Sequence, residues 1–140
     1  MPRVEAEREL LAPRRDVWAF LAEPHHLPDW WPGLASVEPD RRGLSEGARW
    51  QVRAADRPSL LHRSRAPGML LVRRVEEPSL VAWHLTADRV DVELRLEAVS
   101  AHRTRAILIV SSPSLVGFGR SLPRKALSRL HALCQTAAEL

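Results

Sequence analysis

The chain has 140 residues, of which 45% are hydrophobic, and it carries a formal net charge of +4. A sequence of this size and hydrophobicity buries a core of its own, so we predict one domain over residues 1–140 and exclude a disordered chain. Its apolar runs are only a few residues long. We therefore expect no transmembrane helix and no secretory signal peptide, and we predict a cytoplasmic protein.

The basic residues are twenty Arg and one Lys. They are scattered along the chain and interleaved with acids, as in Arg89–Arg95, whereas nucleic-acid-binding proteins cluster basic residues on one face. We therefore expect no nucleic-acid partner. Cys134 is the single cysteine, which excludes an intrachain disulfide and argues against a thiolate metal cluster.

The first 38 residues predict a strand, two short helices and a second strand. Pro13 lies near the first turn of the first helix, where the missing N–H costs nothing, and Pro24 ends that helix. We expect Pro28 to interrupt the second helix. The predicted elements are a strand at Val4–Leu11, helices at Arg14–Glu23 and His25–Trp31, and a strand at Leu34–Glu38.

Five further segments alternate apolar and polar residues, as strands with one buried face do. In Val90–Val99, for example, Val90, Val92, Leu94, Leu96 and Ala98 are predicted to face inward. The intervening segment Asp56–Gly68 contains Pro58 and Pro67, so we predict an extended hairpin connection there. The predicted strands are Ala48–Ala54, Met69–Val75, Leu80–Thr86, Val90–Val99 and Thr104–Ser111.

After Pro113 the spacing becomes helical. The apolar stripe of one helix face is formed by Leu127, Leu130, Cys134 and Ala137. Ser121 and Pro123 are suited to the start of this helix, and a longer helix from Ser114 is weakened by two glycines. Successive strands with short turns predict an antiparallel sheet, and this helix is predicted to cover its apolar face.

The segment 11–32, LAPRRDVWAFLAEPHHLPDWWP, resembles the opening helices of the START-like "SRPBCC" superfamily, in particular its polyketide cyclase/dehydrase-type branch. The resemblance extends through the order of elements over nearly the whole chain and is weakest at 55–68. It implies an α+β helix-grip fold, in which a curved antiparallel sheet of about seven strands surrounds a long C-terminal helix, with two short helices after the first strand. It also implies a hydrophobic pocket between the sheet and the C-terminal helix.

The candidate lining of that pocket consists of inward-facing strand residues and aromatic residues near the helices. Because adjacent residues rarely both point inward, we expect one of Trp30 and Trp31 to pack in the core and the other to border the entrance. The alternative is that the five tryptophans simply fill the core. The predicted ligand-binding apolar residues are Trp31, Trp50, Val52, Trp83, Leu85, Leu94, Leu96 and Phe118.

Two arginine positions are candidates for contact with a ligand anion. Arg73 and Arg74 are consecutive in a predicted strand, so one of them leans toward the apolar face unless the strand ends or bulges there. A position at the rim of the sheet is the simpler explanation. Arg65 lies in a segment, Arg65-Ala-Pro67, that resembles the one carrying the pocket arginine of aromatase/cyclases in the superfamily. The chain lacks the aromatic residues that precede that arginine and has no tyrosine.

Three functions are compatible with these residues. The first is a module that binds a lipid, polyketide or related hydrophobic metabolite without changing it. The second is a cofactor-free polyketide cyclase, aromatase or dehydratase that uses a pocket arginine. The third is a protein whose pocket is filled. We expect no cofactor and no metal, because the adjacent His25 and His26 rarely converge on one ion. The sequence is compatible with a homodimer but does not determine the oligomeric state.

Overall fold

The computed structural model describes residues 3–54, 68–87, 89–113 and 120–139. Within these residues the chain forms seven strands and three α-helices. A turn of 3-10 helix, Pro24–His26, precedes the second α-helix. The elements in chain order are β1 (Arg3–Leu10), α1 (Arg14–Ala22), α2 (Leu27–Trp30), β2 (Leu34–Glu38), β3 (Arg49–Ala54), β4 (Gly68–Glu76), β5 (Leu80–Leu85), β6 (Val90–Ser100), β7 (Arg103–Ser111) and α3 (Leu122–Glu139).

All seven strands form one antiparallel sheet in the order β1-β7-β6-β5-β4-β3-β2. Strands β2 to β7 therefore lie side by side in the order in which they occur along the chain. Strand β1 pairs with β7, at the edge of the sheet opposite β2. The segment with α1 and α2 carries the chain from one edge of the sheet to the other. This arrangement confirms the predicted α+β helix-grip fold, and each predicted strand is present to within one residue at either end.

One prediction about α2 was wrong. Pro28 does not interrupt this helix but lies in its first turn, because α2 begins anew at Leu27 after the 3-10 turn. Proline is tolerated in a first turn, where its missing N–H has no partner to lose. The predicted connection at Asp56–Gly68 and the possible helix from Ser114 lie almost entirely outside the described residues.

The inner face of the sheet is built from alternate residues that stay in register across the strands. Trp83 on β5 is opposite Val72 on β4 and Val92 on β6, and Leu94 is opposite Val81 and Leu108. These side chains are all buried. Ala98, in contrast to the prediction, is exposed, because it lies near the end of the β6–β7 hairpin.

A β-bulge explains how two consecutive arginines on β4 both remain in water. The register shifts between Val72, which is opposite Trp83, and Arg74, which is opposite Ala82, so Arg73 is an extra residue on its strand. A bulge of this kind interrupts the alternation of side chains. Both arginines are exposed, and Arg74 pairs with Glu76 at 2.9 Å. A regular strand would turn one of the two guanidinium groups toward the apolar face. Because β4 bulges at Arg73, neither group turns inward.

Helix α3 packs mainly on β1, with further contacts to α2 and β7. Leu127 and Leu130 are buried, Cys134 is half-buried, and Ala137 is exposed. The predicted apolar stripe is therefore buried in the first half of α3 and becomes exposed toward the C-terminal end of the helix. Among the described residues, the structure contains no helix that is long and apolar enough to span a membrane.

We expect Leu130→Asp to lower the free energy of unfolding by about 3–5 kcal/mol, because it places a carboxylate where the wild-type side chain is 0% exposed. Ala132→Asp, at an exposed position of the same helix, is the matched control and is expected to have little effect. Urea unfolding of both variants measures the difference. Equal stability of Leu130→Asp and wild type would contradict the packing of α3 on the sheet.

The contact between β1 and α3 also predicts a pH dependence. Burial, together with the Arg8 guanidinium, lowers the pKa of His131 below its ordinary value of 6.5, and an Arg8 Nη lies 3.5 Å from its Nδ1. A group whose pKa falls on folding stabilises the fold above its unfolded pKa and loses that contribution as the pH falls through the folded pKa. The melting temperature is therefore expected to fall between about pH 7 and pH 5, and less so in His131→Gln. Identical pH profiles for the two proteins would contradict this.

Candidate functional site

An apolar cavity lies between the α1–α2 segment and the central strands of the sheet. Its volume is about 20 Å³. This is room for about one water molecule, so the hollow is nearly filled. The described lining residues are Leu21 on α1, Leu27 and Trp30 on α2, Leu44, Trp50 on β3, Leu70 and Val72 on β4, and Val81 and Trp83 on β5.

Three tryptophans fill most of the space between α2 and β5. Trp30 and Trp31 meet edge to face with ring centroids 5.6 Å apart. Trp83 lies 6.0 Å from Trp30 and 5.5 Å from Trp31, again with the rings nearly perpendicular. Edge-to-face pairs at such distances are favourable beyond the apolar area that they bury.

Both adjacent tryptophans are buried, which corrects the prediction that one of them borders an entrance. Trp30 is 2% exposed and Trp31 is 3% exposed. Trp30 is the last residue of α2, and Trp31 follows it in an extended conformation. The chain changes direction between them, so the alternation that applies within a strand does not separate their side chains.

The orientation of α2 is set by polar contacts in the turn that precedes it. The Glu23 carboxylate accepts a hydrogen bond from the backbone N–H of His25 and lies 2.8 Å from its Nδ1, and these contacts lower the pKa of Glu23. His26 donates from Nδ1 to the carbonyl oxygen of Phe20 at 2.8 Å, and its ring stacks on the Phe20 ring. The two histidines therefore hold the turn between α1 and α2.

The remaining wall of the cavity is Leu44, in the connection between β2 and β3. The Asp40 carboxylate accepts hydrogen bonds from the backbone N–H groups of Arg49 and Arg42, at 2.9 Å and 3.0 Å, and its pKa is lowered by them. Trp50 donates from Nε1 to the carbonyl oxygen of Gly43 at 3.1 Å. The connection is thereby tied to the strand that also lines the cavity.

The described lining is apolar apart from indole N–H groups. In the described part of the chain, the Trp83 Nε1 is the buried side-chain nitrogen without a hydrogen-bond partner. Charged side chains are absent from the described lining. The described residues also contain no group of three His, Cys, Asp or Glu side chains close enough to hold a metal ion.

The predicted site residues divide into three groups. Trp50 and Trp83 line the cavity, whereas Trp31 is not among the described lining and contacts Trp83. Arg73 is exposed, and Arg65 and Phe118 lie outside the described residues. The other predicted residues are buried on the inner face but are not among the described lining: Val52, Leu85, Leu94 and Leu96.

The cavity also differs in place from the prediction, which put it between the sheet and the C-terminal helix. Its described walls come from α1, α2 and β3–β5, and none is a residue of α3. Leu21 and Trp30 were not among the predicted lining residues, and Leu44 was missed because a connecting segment has no periodicity. Leu70, Val72 and Val81 follow from strand alternation once the bulge is known.

The fold is similar to that of several solved structures. The protein XoxI from Bacillus cereus is 10% identical, with a TM-score of 0.74 and 99% of both chains covered. An Aha1 dimer from Colwellia psychrerythraea is 14% identical, with a TM-score of 0.66 and 97% of this chain and 96% of that chain covered. The di-domain ARO/CYC BexL, from the BE-7585A biosynthetic pathway, is 16% identical, with a TM-score of 0.72, 100% of this chain covered and 48% of that chain.

No curated protein matches the sequence. Residues 1–112 match the family model described as "Polyketide cyclase / dehydrase and lipid transport". The match spans the whole sheet with α1 and α2, which are the elements that build the cavity. The chain therefore belongs to the polyketide cyclase / dehydrase and lipid transport family, within the SRPBCC, or START-like, superfamily.

Proposed function

We propose that the protein binds a hydrophobic small molecule, a lipid, polyketide or related metabolite, in the cavity between the α1–α2 segment and the sheet. The observation that carries this proposal is the cavity itself, whose described walls are apolar side chains from five elements and one connection. Ligand pockets of proteins are typically apolar with few polar groups. The family description, which includes lipid transport, supports the same class of ligand.

A molecule larger than water is admitted only when the walls move apart. Most described wall residues are fully buried in the core, but Leu44 is only partly buried and lies on a connection between strands. Moving this side chain disturbs the packing of the sheet least. We therefore assign the opening of the cavity to the Leu44 wall.

Leu44→Ala is expected to raise the affinity for α-methylstyrene, a compact neutral hydrocarbon, by at least about threefold, because the truncation enlarges an apolar cavity. Titration followed by protein NMR measures the dissociation constant. Leu133→Ala is the matched control, since Leu133 is also a partly buried leucine but lies on α3, away from the described lining. Absence of binding by both wild type and Leu44→Ala would contradict the proposed function.

A second candidate is a cofactor-free polyketide cyclase, aromatase or dehydratase. The observation that favours it is the similarity to the di-domain ARO/CYC BexL together with the family description. Such an enzyme would stabilise an enolate with an arginine. Arg65 is our candidate for that role, because Arg73 is exposed.

If the protein is such an enzyme, Arg65→Ala is expected to abolish the cyclisation of a poly-β-ketone analogue, whereas Arg73→Ala leaves it unchanged. Product formation is followed by mass spectrometry with both variants and wild type. If wild type binds the analogue but does not convert it, the enzyme function is rejected and the binding function is kept.

A homodimer is a further proposal, supported by the dimer named in the Colwellia structure.

A further inference from the structure

The indole N–H groups of two cavity residues differ in a way that bears on the ligand. Trp50 donates from Nε1 to the carbonyl oxygen of Gly43 at 3.1 Å, so its N–H is already satisfied. Trp83 is 5% exposed, and its Nε1 has no partner among the described residues. Both side chains belong to the described lining of the same cavity. One lining residue therefore carries a buried donor that the described residues leave unpaired.

Such a donor is uncommon in folded proteins, because burial removes it from water without replacing the lost hydrogen bond. The backbone of Trp83 cannot shift to find a partner, since it is paired with Val72 on one side and with Val92 on the other. The Trp83 indole therefore stays among the residues that line the cavity, with no described partner for its N–H.

The residues around the cavity also restrict the charge of an acceptor for this N–H. The described lining contains no Arg, Lys or His, and Arg73, which the sequence predicted as a ligand contact on these strands, is exposed. A carboxylate beside the described lining would lose its hydration without gaining a counter-charge from these residues, which is far more costly than burying a neutral carbonyl group. The described lining thus favours an uncharged oxygen.

We propose that Trp83 is the specificity-determining residue of the cavity and that its Nε1 donates a hydrogen bond to a neutral carbonyl oxygen on an otherwise apolar ligand. This inference rests on the proposed binding function and adds the chemical class of the ligand. The alternative is that the N–H is held by the ring face of Trp31 or Trp30, whose centroids lie 5.5 Å and 6.0 Å from that of Trp83. A ring face is a weak acceptor.

The test compares two probes of nearly equal shape, acetophenone and α-methylstyrene, which differ by C=O against C=CH₂. Acetophenone is expected to bind wild type about threefold to tenfold more tightly, as one neutral hydrogen bond allows. It is also expected to shift the Trp83 indole N–H resonance downfield, while α-methylstyrene does not. Benzoate is expected to bind more weakly than acetophenone.

Replacement of Trp83 by 3-benzothienylalanine, in which sulfur takes the place of N–H, keeps the shape and removes the donor. The preference for acetophenone is expected to disappear in this variant. The same replacement at Trp50 is the matched control: it removes an N–H that already has a partner, so the preference is expected to persist even if the protein becomes less stable.

The outcomes separate this inference from the function on which it rests. If neither probe binds, the proposed function fails. If both bind wild type equally, or if benzoate binds as well as acetophenone, the binding function stands and the neutral-carbonyl ligand is overturned. If the change at Trp83 lowers the melting temperature of the empty protein and leaves the preference intact, the N–H is held by the neighbouring rings and the proposal is likewise overturned.

Discussion

The packing of Trp30 and Trp31 on Trp83 is the contact on which this fold and its cavity depend. Strands β2 to β7 follow one another in the sheet, but β1 lies at the opposite edge from β2, so the chain must cross the sheet between them. The crossing segment contains α1 and α2, and the three rings join α2 to a central strand. Because edge-to-face contacts are directional, they fix where the crossing segment rests.

The same contact sets the size of the cavity. The rings occupy much of the space between α2 and β5, and the cavity that remains has a volume of about 20 Å³. The proposed binding and the stability of the core thus depend on the same side chains. The polar contacts around Glu23, His26 and Asp40 lie in the segments on either side of the cavity, where they position its walls without entering its described lining.

Arg73 and Arg74 show that the local backbone geometry decides whether a strand side chain faces the core or the solvent. Strand alternation alone would direct either Arg73 or Arg74 toward the apolar face. One extra residue in β4 changes this, and both guanidinium groups lie in water while Val75 returns to register opposite Val81. A bulge depends on how two strands pair, which is not encoded in the hydrophobic pattern of either strand alone.

Periodicity by itself determined the seven strands and the buried face of most of them, and the first and last helices, because those signals are local and repeat every two or 3.6 residues. The helix-grip arrangement of these elements was implied by the resemblance of segment 11–32 and of the order of elements to the START-like superfamily. Only the tertiary structure decided that both Trp30 and Trp31 are buried, that the described cavity lies against α2 instead of α3, and that Leu44 is one of its walls. Nor could the pattern distinguish the paired N–H of Trp50 from the unpaired one of Trp83. These features arise where segments distant in sequence meet, and a hydrogen-bond partner across such a contact leaves no periodic trace in the chain.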